Sequence, residues 1–288
     1  MKALKLNSEI ATVIYPPIKI QGSKYQLVNF IKNNLNFNND KDIWIEPFMG
    51  SGVVGFNVKP KVAIFNDINT YIVDFYNALK NKDITSQAIR KFIISERKEL
   101  EKDKNEYYLK LRNRFNEKHD VLDFYLLTRL SFNGLMRFNR KGEFNAAFCK
   151  EPNKFTDSFI DRLISYIEYI EDCFNSCDWI FKNKSYSDII KNYQDKEVSF
   201  FYCDPPYIGR DTQYFQKWSE EDEIEFNKLL RNVKGKFMVS TWIKDANGKK
   251  NEYIDTLWKD FNLIDYSHNY RIHGNSRLKV QEGLIMNY

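Results

Sequence analysis

The chain is short of cysteine, histidine and long apolar runs, and each shortage excludes something. Its four cysteines, Cys149, Cys173, Cys177 and Cys203, form no Cys-x-x-Cys pair, and there are three histidines. A structural zinc site needs four clustered sulfur or nitrogen ligands, so no metal is expected. Cys173 and Cys177 stand four apart on a predicted helix, a spacing that packs one face. No apolar run is long enough to span a bilayer, and the first residues lack the apolar stretch of a signal peptide. The expectation is a reducing, intracellular setting. The full Gly-x-Gly-x-x-Gly spacing of a dinucleotide fold is missing too. A formal charge of +5 permits nucleic-acid binding without requiring it.

A length of 288 residues suits one large α/β domain with a smaller inserted lobe. Aromatic residues make up 16% of the chain. Most belong in a core, which leaves a few to stack on bases.

The organising stretch is Asp204-Pro205-Pro206-Tyr207. It follows Glu197 to Cys203, an apolar, β-branched and aromatic run of the length of a buried parallel strand. The two prolines stop that strand, because neither donates to a ladder. An acid, two carbonyls and an aromatic ring then stand at the carboxyl end of a central strand, where open α/β sheets bind ligands. Asp204 and the Pro205 carbonyl could each accept one N–H of an exocyclic amine and aim its lone pair at an electrophile, with Tyr207 stacked on the base. A plain acidic turn would look the same, and the tetrapeptide by itself leaves both readings open.

Upstream, the short strand Ile43-Trp44-Ile45 leads into Glu46-Pro47-Phe48-Met49-Gly50-Ser51-Gly52. Gly50 and Gly52 would let the backbone approach a ligand, and the following helix would offer free N–H groups to a carboxylate. Bulky Phe48 and Met49 sit where a pyrophosphate would need room. The next strand, Val62 to Phe65, ends at Asn66-Asp67, which places Asp67 to accept from ribose hydroxyls or to cap a helix starting near Asn69. Residues 74–120 are helical in period and mixed in charge, as a solvated lobe would be. From Arg129 to Lys150 the chain turns basic, with asparagines interleaved among phenylalanines. Asn can read adenine, Arg can read guanine or phosphate, and aromatics or Leu can wedge between bases.

Together these motifs resemble the Dam-like, D12-class (α group) N6-adenine DNA methyltransferases, in motif order and over nearly the whole chain. The resemblance implies a Rossmann-like fold with a seven-stranded, mostly parallel sheet, an antiparallel edge, and an inserted recognition lobe carrying helices and a β-hairpin. It divides the chain into a catalytic domain, 1–73 with 174–288, and an inserted lobe, 74–173, with a basic hairpin at 131–150. It implies S-adenosylmethionine as cofactor, held by Lys24, Glu46, Pro47, Phe48, Gly50, Gly52, Asp67, Asp188 and Asp204. Double-stranded DNA would be the partner. Asn133-Gly134-Leu135-Met136-Arg137-Phe138-Asn139-Arg140-Lys141-Gly142-Glu143-Phe144-Asn145 looks like the family's DNA-contacting hairpin. The resemblance assigns Lys19, Asn133, Leu135, Arg137, Asn139, Arg140, Lys141 and Asn145 to DNA. Lys19 and Lys24 match the two lysines of the family's amino-terminal segment, although Ile20 replaces its aromatic residue and Ser23 its second glycine. Ala147 and Cys149-Lys150 also depart from the pattern.

The reaction implied is site-specific methylation of N6 on a flipped-out adenine, by a cytoplasmic, prokaryotic or phage-encoded monomer, acting alone or paired with a restriction endonuclease. Rival readings are a methyltransferase acting on cytosine N4, RNA adenine or a glutamine side chain, and a non-catalytic DNA-binding module. Further local expectations are an N-cap at Ser23, a helix over 156–172 burying Phe159, Leu163, Tyr166 and Ile170, and a polar loop at 208–217 able to close over substrate. Final strands are expected near 263–268 and 283–287.

Overall fold

The computed structural model describes residues 12–149, 155–208, 218–245, 248–271 and 277–288. Seven strands form one sheet: β1 Ile43–Glu46, β2 Val62–Asn66, β3 Asp178–Lys182, β4 Ser199–Cys203, β5 Lys236–Lys244, β6 Asn262–Arg271 and β7 Arg277–Met286. Their order is β3-β2-β1-β4-β5-β7-β6. The first five are parallel, and β7 runs antiparallel to both β5 and β6. The chain order reverses between β1 and β4, which are paired as Ile43↔Ser199 and Ile45↔Phe201. A crevice opens at the carboxyl ends of strands at such a reversal.

β4 is buried along its whole length because both faces are covered. Phe200 and Tyr202 join the apolar layer on one face, where Phe200 stacks on Trp44 with ring centroids 5.4 Å apart. Phe201 and Cys203 join the other, with Phe226, Leu230 and Trp258. The first layer is continuous with helices α1 Val28–Asn33, α2 Val53–Val58, α3 Thr70–Lys80, α4 Ser86–Lys102, α5 Lys104–Lys118, α6 Val121–Leu130 and α7 Asp157–Ser176. The second is covered by α8 Tyr186–Tyr193, α9 Glu220–Arg231 and α10 Glu252–Thr256. Each fully buried large side chain contributes about 1.5–3 kcal/mol, so the two layers hold the strand ends in place.

Local chemistry sets the helix starts. Thr85, Asp103, Asp120 and Thr156 cap α4 to α7 through side-chain oxygens, and Ser219 and Asp222 form a capping box on α9. Three expectations are corrected. Ser23 caps nothing: a 3₁₀ turn, Tyr25–Leu27, precedes α1, and the Ser23 hydroxyl meets that of Ser51 at 3.2 Å. Asn69, not Asp67, caps α3. The buried stripe of α7 is Ile160, Leu163, Ile164, Ile167 and Ile170; Phe159 and Tyr166 lie at its half-buried margin. The last strands are also longer than expected. The expected loop at 208–217 lies, apart from Ile208, outside the described residues, as does Lys150.

Candidate active site

At the crevice, Glu46 ends β1 and Asp204 follows β4, and both line one cavity of about 400 Å³. Lys24 reaches it from the amino-terminal segment. Its ammonium lies 3.0 Å from Asp204 Oδ1, 3.4 Å from the Gly22 carbonyl oxygen and 4.9 Å from the centre of the Tyr207 ring. Burial opposes the Lys24 charge, but Asp204, Tyr207, Glu282 and Tyr202 around it hold its pKa well above the ordinary lysine value. Burial pushes the Asp204 carboxyl up, and the Lys24 ammonium opposes that push. The net arrangement is a buried ion pair whose carboxylate keeps one edge toward the cavity. Lys24, assigned above to the cofactor, is thus tied to the Asp-Pro-Pro-Tyr motif while lining the same cavity. Pro206 and Tyr202 also line it; Pro205 is buried, and the Tyr207 ring lies beneath Lys24.

Glu46 is 2% exposed and takes a 2.9 Å hydrogen bond from Trp44 Nε1. Burial lifts its pKa to about 8, the Trp44 bond pulls it down, and the neighbouring Asp204 charge adds to the rise. Asp67 accepts from the Gly50 N–H at Oδ2 and from the Asn69 N–H at Oδ1, both at 2.8 Å. Burial nonetheless raises its pKa to about 6. The Ile68 N–H also acts on this carboxylate, and since a carboxylate has about four acceptor sites, one remains for a hydroxyl. Gly50 lines the cavity. Gly52 does something else: with φ +70°, a Cβ there would stand 2.5 Å from the Phe56 ring, so it serves the turn and the packing of α2. Phe48 stacks on Tyr186 at 5.2 Å and meets Trp218 edge-on at 5.5 Å, making an aromatic wall. Pro47 contributes its carbonyl, which accepts from Asn66 Nδ2 at 2.9 Å.

Asp188 is exposed in the first turn of α8, whose cap is Ser185, and among the described residues the cavity is lined there by Lys184, Ser185, Tyr186 and Ser187 instead. Sequence reasoning missed Asn66, fully buried, which also holds the backbone of Lys184 through both ends of its amide. It missed Glu282, 4% exposed on β7, whose charge acts on both Lys24 and Asp204. A polar residue closing an apolar strand was the available signal for Asn66; Glu282 had none.

The 131–149 segment forms a hairpin with bridges Ser131↔Phe148 and Phe138↔Phe144 and Gly142 at φ +79°. Phe138 stacks on Tyr71 at 5.4 Å, and Asn116 on α5 bonds both the N–H and the carbonyl of Phe144. Asn139 accepts from the Lys141 and Glu143 N–H groups and donates to the Glu143 carboxylate. Arg137 donates to the Asn145 side chain and carbonyl. The amide groups of Asn139 and Asn145 therefore shape the hairpin in this state. Asn133, Arg137, Arg140 and Lys141 are exposed, and Leu135 is half-buried against the core. Lys19 runs beside the hairpin base; a Cβ on Gly134, at φ +71°, would lie 2.9 Å from the Lys19 carbonyl oxygen. Burial lowers the Lys19 pKa. Arg129 donates to the carbonyls of Pro16 and Pro17, a structural task.

With this geometry in hand, comparison with known proteins is decisive for the family. The model of the D12 class N6 adenine-specific DNA methyltransferases matches residues 21–272. The chain belongs to that family. This D12-class chain is 28% identical to the type II methyltransferase M.FokI of Planomicrobium okeanokoites, over 99% of its own length and 44% of that protein. It is 27% identical to the modification methylase StsI of Streptococcus sanguinis, over 96% of its length and 43% of that one. It therefore spans less than half of these two relatives. It is 31% identical to the DNA adenine methylase of Escherichia coli K12, over 66% of this chain and 64% of that protein. No helix among the described residues is long and apolar enough to cross a membrane.

Proposed function

We propose that this chain methylates N6 of an adenine flipped out of double-stranded DNA, with S-adenosylmethionine as methyl donor. The observation that carries this reading is the Asp204 carboxylate, fixed by Lys24 at the end of β4 and opening onto the same cavity as Gly50 and Asp67. The cavity's chemistry fits the donor: Asp67, Asp204, Asp222 and Glu225 line it, which suits a molecule carrying sulfonium and ammonium charges. Asp67 and Gly50 would hold the ribose side, and the Phe48–Tyr186–Trp218 wall an aromatic ring. S-adenosylmethionine supplies a methyl already activated on sulfur, so the protein's task is positioning and electrostatics.

An adenine stacked in a duplex cannot reach the end of β4 and has to leave the stack. Asp204 then accepts one amino N–H and the Pro205 carbonyl the other, directing the nitrogen lone pair toward the methyl group. The amine gives up one proton as it gains the methyl group. Residues 74–173 would act as the recognition lobe, with Arg137 and Asn133 toward bases and Arg140 and Lys141 toward phosphates. The relatives' names support a role beside a restriction endonuclease, and a monomer suffices for the chemistry. The test is transfer of labelled methyl from S-adenosylmethionine to duplex DNA, followed by nucleoside analysis. Label in N6-methyladenine is expected; label in cytosine, RNA or protein, or none, would reject the reading.

A further inference from the structure

The aromatic wall of the cavity is held from behind by an acid. Trp218 stands directly before Ser219, the N-cap of α9, and Glu223 is the fourth residue of that helix. In many helices these two positions carry apolar side chains that staple the entering chain. Here the staple is a hydrogen bond: Trp218 Nε1 donates to Glu223 Oε2 at 2.8 Å. The other oxygen, Oε1, accepts from Trp258 Nε1 at 3.0 Å. Trp258 is 4% exposed and packs on Phe226, Phe237 and Phe261. The carboxylate therefore ties Trp218 to a fixed point in the core.

A buried acid is a costly staple. Glu223 is 8% exposed; burial raises its pKa, and the two indole bonds oppose that rise. An apolar pair would hold the helix start without taking a carboxylate out of water. What the acid adds is direction. Apolar contact leaves a ring free to slide and turn, whereas an N–H bonded to a fixed oxygen sets the ring's plane and edge. Trp218 is set across Phe48 and Tyr186, at 79° to the first with centroids 5.5 Å apart and at 52° to the second with centroids 5.1 Å apart. Phe48, Tyr186 and Trp218 all line the cavity, and among the described residues its lining does not include Glu223.

We propose that Glu223 is a positioning residue for the donor site: through the indole N–H it fixes Trp218, and so presets the aromatic wall for the flat ring of S-adenosylmethionine. This rests on the donor reading above and deepens it. A wall that is already ordered spares the donor the cost of ordering it on binding. Glu223 acts on donor affinity and takes no part in the transfer step.

The test is a double-mutant cycle on the full chain, Glu223→Leu and Trp218→Phe singly and together, with S-adenosylmethionine binding followed by calorimetry. Leucine fills much of the acid's space and accepts no hydrogen bond. Glu223→Leu should weaken the donor about tenfold, the loss of one hydrogen bond to a charged group. In steady state it should raise KM for the donor rather than lower kcat. Trp218→Phe removes the indole N–H, so the double variant should bind the donor no worse than Trp218→Phe alone. Glu223→Gln, which keeps one acceptor oxygen, should lose less, about threefold, and that loss should vanish in the Trp218→Phe background. The glutamine variant carries the same test if the leucine variant does not fold. Unchanged donor affinity in the Glu223 variants, or losses that add in the double variant, overturns the proposal. The unaltered chain is titrated alongside: if it binds S-adenosylmethionine and the cycle shows no coupling, only the role of Glu223 falls; if it binds none, the donor reading falls first and this inference with it.

Discussion

The carboxyl edge of β1 and β4 and the 137–145 hairpin hold their polar groups in opposite ways. At the edge, Lys24, Glu46 and Asp204 are drawn out of water and face one another across a cavity. In the hairpin, Asn139 and Asn145 are committed to its own shape, and the cations Arg137, Arg140 and Lys141 remain in solvent. Burial makes the first region electrostatically strong and sensitive to any lost partner. Exposure makes the second individually weak, screened by salt, and dependent on its bracing from α3 and α5. On the proposed reading, chemistry and recognition are thus separable by the kind of damage each tolerates.

The largest effect on stability should come from Glu46. In the unfolded chain it ionises near 4.5; folded, it keeps its proton until about 8. The unfolded state therefore releases a proton that the folded state holds, and the Glu46 contribution to stability falls as pH rises from 4.5 to 8. Glu46→Gln has no proton to lose. Its unfolding free energy without cofactor should match wild type near pH 4.5 and exceed it increasingly up to pH 8, by an amount on the order of a few kcal/mol. Parallel melting curves across that range would remove Glu46 from the list of buried, uncompensated acids.

Lys24→Met comes next. Breaking one side of a buried ion pair costs about 3 kcal/mol. The Asp204 carboxyl, already raised by burial, would rise further without the ammonium. The acid limb of the pH–rate profile should move to higher pH, which a merely structural loss would not produce.

Asn116→Ala should act on the other region. It leaves the Phe144 N–H and carbonyl without their partner, at about 1–3 kcal/mol, and loosens the hairpin. DNA affinity should fall five- to a hundredfold while cofactor affinity holds. An equal fall in both would mean that the two regions are not independent. The smallest effect is expected from Lys141→Ala: a salt slope flatter by about one unit on any duplex. Arg137→Ala should instead cost about 1–3 kcal/mol on the cognate site alone, with the slope kept. Equal losses on both duplexes would make Arg137 a phosphate contact.

The sequence was readable where neighbours in the chain are also neighbours in space. The run Ser199–Cys203 followed by Asp204-Pro205-Pro206-Tyr207 announces a buried strand and its end. Glu46 to Gly50 does the same for β1, and the seven-stranded sheet with its antiparallel edge is what the family resemblance implies. What escaped depends on contacts distant in sequence or on polar strands. Lys24 meets Asp204 from the far end of the chain, and Glu282 reaches the site from the last strand. The outer halves of β6 and β7 are too polar to look like strands. The hairpin's polar residues suit the proposed DNA contact by type, but nothing in their order shows that Asn139 closes the turn.

The central claim is that Asp204, at the end of β4, is the acceptor that directs the reacting amine. The direct measurement is the single-turnover methyl-transfer rate of Asp204→Ala at saturating S-adenosylmethionine and duplex DNA. By analogy with the loss of one preorganised oxyanion donor, the rate should fall about 10²–10³-fold with DNA affinity unchanged. A rate near that of the unaltered chain would contradict the account.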